Sequence, residues 1–75
     1  MEHLFDLTDV DVDIIRSLAR NGLVTQRVCG DLTYTRSTVD YHLARIAEKT
    51  GLDPLDFYDM VKLLDMVGGS EHGSN

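Results

Sequence analysis

Residues 25–46 read TQRVCGDLTYTRSTVDYHLARI, and the spacing inside this stretch decides the fold. Val28, Cys29 and Leu32 make the apolar stripe of a short helix. Val39, Leu43 and Ile46 repeat at four and three residues, with Ala47 beside them, and make the stripe of a longer one. Between the stripes, Thr33-Tyr34-Thr35 is a run of low helix propensity at a point where no apolar residue is needed until Val39. Thr25 is placed to cap the short helix and Thr35 the long one, because a threonine hydroxyl accepts from an otherwise unpaired N–H of the first turn. Gly30 costs about 1 kcal/mol against alanine inside a helix, so the short helix must lean on tertiary packing. Lys49 suits the negative end of the long helix, and Gly51 ends it. A short helix, a tight turn and a longer helix form a helix-turn-helix pattern. In it Cys29 is the small residue at the crossing, Leu32 closes the short helix, Tyr34 anchors the turn, and Val39 and Leu43 pin the long helix.

Working outward, Thr8 is an N-cap answered by Asp11, with Asp9 favouring the positive helix end. Val10, Ile14, Ile15 and Leu18 then follow helical spacing until Gly22, which predicts a helix over about 9–21. On the other side, Asp53-Pro54 is a helix start, with Asp as cap and Pro at the first helical position. Asp56 with Asp59 offers a rival start one turn later. Phe57, Met60, Val61, Leu64 and Val67 form an apolar face, with Leu63 beside it, of a fourth helix running to about 67. The expected fold is all-α: a small four-helix domain with a tri-helical helix-turn-helix core plus a C-terminal helix. Residues 1–7 are an acidic N-terminal segment, 8–67 the domain, and 68–75, opening on Gly68-Gly69-Ser70, a disordered tail.

Length and chemistry narrow the function. With 75 residues the core is thin, and a catalytic pocket would hollow it further. No nucleophile, base and orienter can be named together, so no enzyme is expected. His3, His42 and His72 are scattered without ligand spacing, so neither a metal nor another cofactor is expected. The single cysteine, Cys29, cannot form a disulfide within the chain and reads as a small buried filler. With no signal-like start and no membrane-length apolar run, the expected location is cytoplasmic.

The net charge of −6 opposes phosphate binding in sum, but its placement is uneven. Residues 1–13 carry Glu2, Asp6, Asp9, Asp11 and Asp13 without a cation, and residues 51–75 set Lys62 alone against Asp53, Asp56, Asp59, Asp65 and Glu71. The middle carries Arg16, Arg20, Arg27, Arg36, Arg45 and Lys49 against Asp31, Asp40 and Glu48. At about 100° per residue, Ser37, Tyr41, Ala44 and Glu48 point away from Val39, flanked by Asp40 and Arg45. In a helix-turn-helix the start of the long helix enters the major groove. Arg36 can fork onto guanine or reach phosphate, while Thr35, Ser37 and Thr38 suit phosphate. Tyr41, His42 and Arg45 can reach further along the helix. Arg27 belongs to the same strip, and a continuous positive strip over Arg27, Arg36 and Arg45 favours DNA. Asp40 can accept from cytosine or pair with Arg36 four residues back, and the intrahelical pair is the preferred reading.

Two sets of motifs carry a family resemblance. The segments Leu7-Thr8, Ile14 to Arg20, Thr38 to Ile46 and Lys49 to Leu52 resemble the LuxR/GerE-type DNA-binding domain. The segments Asn21-Gly22-Leu23, Thr35 to Ile46, Thr50 to Pro54 and Phe57 to Leu63 are similar to the C-terminal helix-turn-helix of PucR/CdaR-type regulators. The second explains the Gly-Leu-Asp-Pro segment and the fourth helix better. Both resemblances imply binding to palindromic operator DNA through the long helix. By resemblance that role falls to Arg36, Ser37, Thr38, Tyr41, His42 and Arg45. The reading is a regulator of transcription that binds double-stranded DNA, with helix 36–49 reading an inverted repeat. Met60, Leu63, Leu64 and Val67 either pair two copies, which would set the spacing of the half-sites, or cap the core of their own monomer. The rival is an acidic module of the same fold that has lost DNA and binds a regulator or a nucleic-acid enzyme.

Overall fold

The computed structural model describes residues 7–72, which form four helices: α1 Asp9–Arg20, α2 Thr25–Leu32, α3 Arg36–Thr50 and α4 Phe57–His72. The all-α, tri-helical core with a C-terminal helix is the architecture that the spacing predicts. Helix α1 opens on a complete capping box: the Asp11 N–H donates to the Thr8 hydroxyl at 3.2 Å, and the Thr8 N–H donates to Asp11 Oδ2 at 3.0 Å. It closes at Asn21, after which Gly22 (φ 68°) and Leu23 (φ 66°) are both left-handed and the Leu23 N–H returns to the Leu18 carbonyl at 2.8 Å.

That double left-handed step changes the start of α2. The N-cap is the extended Val24, whose carbonyl receives the Val28 N–H at 3.3 Å, and no side chain caps the helix. Thr25 is therefore the first helical residue and not the cap that its residue type suggested. The turn after α2 is made by Thr33 at φ 55° and ψ 41°, with the Tyr34 N–H bonded to the Cys29 carbonyl at 3.0 Å. A β-branched residue rarely takes this conformation. At α3 the expected devices are present: Thr35 accepts from the Thr38 N–H at 3.2 Å, and Gly51 closes the helix at φ 75°.

Of the two starts open for α4, the later one forms. Asp56 accepts from the Asp59 N–H at 3.0 Å, and its carbonyl receives the Met60 N–H at 2.8 Å. Asp53 instead makes a local turn, accepting from the Leu55 N–H at 2.9 Å, and Pro54 is buried within that turn. The far end also differs from the sequence reading. Helix α4 runs past residue 67 to His72, because Gly68 is not left-handed and so does not stop it. The expected tail at 68–75 is thus helical to residue 72, and 73–75 lie outside the described residues, as does nearly all of the acidic segment 1–7.

Helix α1 is the hub. It packs against α2, α3 and α4, while α2 also packs on α3. The core comprises Ile14, Ile15 and Leu18 of α1, Val28 of α2, Val39, Leu43 and Ile46 of α3, and Met60 and Leu63 of α4. Burying each such side chain is worth about 1.5–3 kcal/mol, so α1, with two isoleucines and a leucine fully buried, anchors the core from one helix. A polar clasp joins α1 to α2. The buried Ser17 donates to Asp31 Oδ2 at 2.6 Å, and Arg20 reaches the same oxygen at 2.8 Å. The Ser17 hydroxyl, and then Arg20, hold the Asp31 carboxyl below the usual carboxylate value. Across the other side, Arg16 donates to the Val67 carbonyl at 3.3 Å and ties α4 to α1.

Candidate nucleic-acid interface

Helix α3 buries Val39, Leu43 and Ile46 and turns Ser37, Tyr41, Ala44 and Glu48 outward, the division that its periodicity predicts. Its first turn is exposed. The Thr35 hydroxyl takes the Thr38 N–H, leaving those of Arg36 and Ser37 without a partner among the described residues. Such N–H groups, at the positive end of a helix, favour an anion. Arg36 and Asp40 form the intrahelical pair, Nε to Oδ1 at 3.1 Å, with side chains 60% and 55% exposed. Thr35 also donates from its hydroxyl to that of Thr38 at 3.0 Å. Arg27 is exposed on the first turn of α2 and makes no ion pair among the described residues.

Two of the expected readers lie elsewhere. His42 and Arg45 turn toward α1 and clamp the buried Asp11. His42 Nδ1 stands 2.6 Å from Oδ1, and Arg45 Nη2 donates to Oδ2 at 3.3 Å. Their side chains are only 17% and 24% exposed. Burial alone would raise the Asp11 pKa. The Thr8 N–H, His42 and Arg45 together outweigh it and hold the carboxyl below its ordinary value. The same bond to Asp11 holds the Arg45 guanidinium above its usual value. Tyr41 stacks edge-on against His42, with ring centroids 5.2 Å apart, its hydroxyl meets Arg45, and the side chain is largely exposed. Charge balance draws the two side chains inward. A carboxylate inside the α1–α3 contact requires cationic or donor partners, and residues three apart on α3 supply them. The strip expected along Arg27, Arg36 and Arg45 is consequently broken at Arg45.

Asp11 is the residue whose larger role the sequence reading missed, though it carried a signal. It stands three and four residues before Ile14 and Ile15, on the buried side of α1, where an unpartnered carboxylate could not remain.

The four residues expected to pair two copies are mostly spent within the chain. Met60 and Leu63 belong to the core, and Leu64 and Val67 are partly buried against it. The exposed apolar side chains of this region are Leu55, Phe57, Tyr58 and Val61, with Phe57 and Tyr58 meeting edge to face at 5.6 Å. Cys29 is half-buried and packs against the core as a filler. No described helix is long and apolar enough to cross a membrane.

A short helix, a left-handed turn and a long helix whose capped start and outer face are open define a helix-turn-helix domain of the DNA-binding class. The sequence matches the PucR C-terminal helix-turn-helix domain over residues 6–64, and the chain belongs to that family. The likeness to LuxR/GerE-type domains receives no such support. No curated protein and no solved structure matches the chain.

Proposed function

We propose that the domain is a transcriptional regulator that reads double-stranded DNA, with the N-terminal half of α3 in the major groove. The observation that carries this reading is the open first turn of α3, where Arg36, Ser37 and the unpaired N–H groups face away from the core. Arg36 and Tyr41 reach base edges. Thr35, Ser37, Thr38 and Arg27 hold phosphates and set the register. His42 and Arg45 support α3 from behind, through Asp11, and do not reach the DNA. The operator is an inverted repeat bound by two copies, which places their α3 helices in major grooves about 34 Å apart. No cofactor takes part.

Arg36→Ala tests the assignment. Affinity for the cognate duplex should fall by about 1–3 kcal/mol while the melting temperature stays put. Equal affinity in the variant would remove Arg36 from the interface. Sedimentation of the complex gives the copy number, and one copy per site would remove the inverted repeat.

The broken positive strip favours a second reading, a module of this fold that binds a basic protein surface through its carboxylates. Failure of the folded domain to bind any duplex at low salt, with retention on a basic partner, would support it.

A further inference from the structure

We propose that Asp40 is a positioning residue that aims Arg36 at a guanine, an inference that rests on the DNA-reading function above. The guanidinium is planar, with five N–H groups in a fixed fork. Asp40 Oδ1 occupies the Nε–H at 3.1 Å. That contact leaves the edge formed by the two terminal nitrogens, which matches the O6 and N7 acceptors of guanine in the major groove. Both side chains are more than half exposed, so the pair adds little to the stability of the helix. Its consequence is orientation.

Electrostatics point the same way. A carboxylate on the outward face of α3 repels phosphate, so an arginine held against it is a poor backbone clamp. On a base edge the repulsion is smaller, and the ordering of a long side chain has already been met before DNA arrives. Asp40 thereby lowers affinity for arbitrary duplex and sharpens preference for one base pair. Glu48 is the other acid exposed on α3, two turns further along, and Ser37, Tyr41 and Ala44 on the same face carry no charge that competes for Arg36.

The test is selection from a randomised duplex pool with the wild-type chain, Asp40→Asn and Arg36→Ala, with melting temperatures measured beside it. The wild type should enrich a motif with a guanine at one position. Arg36→Ala should lose the preference at that position. Asp40→Asn should weaken it there too, by about two- to fivefold, while binding the unselected pool more tightly at low salt, since one negative charge has left the face. Replacing that guanine by 7-deazaguanine, which lacks the N7 acceptor, should weaken the wild type more than Asp40→Asn. A motif that survives intact in Asp40→Asn overturns the positioning role alone. A folded wild-type chain that enriches no motif removes the DNA reading, and this role with it.

Discussion

Replacing Asp11 by alanine should destabilise the domain more than any change on the outer face of α3. Three contributions are lost together. The Thr8 N–H loses its acceptor, the half of the capping box that the Asp11 side chain supplies, which costs about 0.5–1.5 kcal/mol. His42 and Arg45 lose the carboxylate between them. Breaking a fully buried pair costs about 3–5 kcal/mol. Here both partners keep some solvent and can turn toward it, so about half that figure applies. The total is about 2–4 kcal/mol, against roughly 4–11 kcal/mol for a domain of this length. At about 4–8 °C per kcal/mol, the melting temperature should fall by roughly 10–25 °C, followed by circular dichroism at neutral pH. The effect should depend on acid in a definite direction. The folded-state pKa of Asp11 lies below the ordinary aspartate value of 3.8, so its stabilisation is complete above that value. It is lost as the pH falls through the lower, folded value. The gap between wild type and variant should therefore narrow in acid, below the ordinary aspartate value. A drop of less than about 1 kcal/mol at neutral pH, or a gap that widens in acid, would refute the clamp.

Three further outcomes follow from the geometry. Gly30→Ala should stabilise the domain by about 0.5–1 kcal/mol in chemical denaturation, because an added Cβ meets nothing within 4 Å and α2 gains helix propensity. Thr33→Gly should also stabilise it, by up to about 1 kcal/mol, since glycine takes the left-handed turn without the Cβ penalty; a loss would mean that the threonine side chain is needed there. Leu63→Ala should cost about 2–5 kcal/mol while Tyr58→Ser stays within about 0.5 kcal/mol, and equal costs would reverse the assignment of the two faces of α4.

Much of the fold is legible where one local rule acts alone. Thr8, Gly22, Thr35 and Gly51 each mark a helix end by a device that needs only neighbours in sequence. Val39, Leu43 and Ile46 mark a buried face by spacing alone. The failures share a different character. Thr25 is a good cap by type, yet the cap position is set by the left-handed pair Gly22 and Leu23, which places Val24 there. The glycine pair at 68–69 reads as a stop only if the chain turns left-handed, and the helix instead continues. His42 and Arg45 lie on the flank of α3, and nothing in the periodicity of that helix says whether a flank faces solvent or a neighbour. The answer comes from α1, through Asp11. The outward positions of Arg36, Ser37 and Tyr41 are legible because they lie opposite the stripe. Met60 and Leu63 go to the core and not to an open face because the thin core needs α4 more than its first three helices suggest.

Binding of duplex DNA to the open face of α3 is read out by fluorescence anisotropy across a salt series. The labelled duplex is the region upstream of the protein's own gene, with a scrambled duplex beside it and folding verified in the same buffers. The upstream duplex should bind more tightly than the scrambled one. Affinity should fall with salt at a logarithmic slope of about 0.9 per phosphate neutralised. Arg27 is the main cation of the face that no described acid pairs, so a slope of roughly 1–3 per copy is expected, shallower than for a strongly basic domain. A folded chain with no affinity for either duplex at low salt would mean that the open face of α3 does not read DNA.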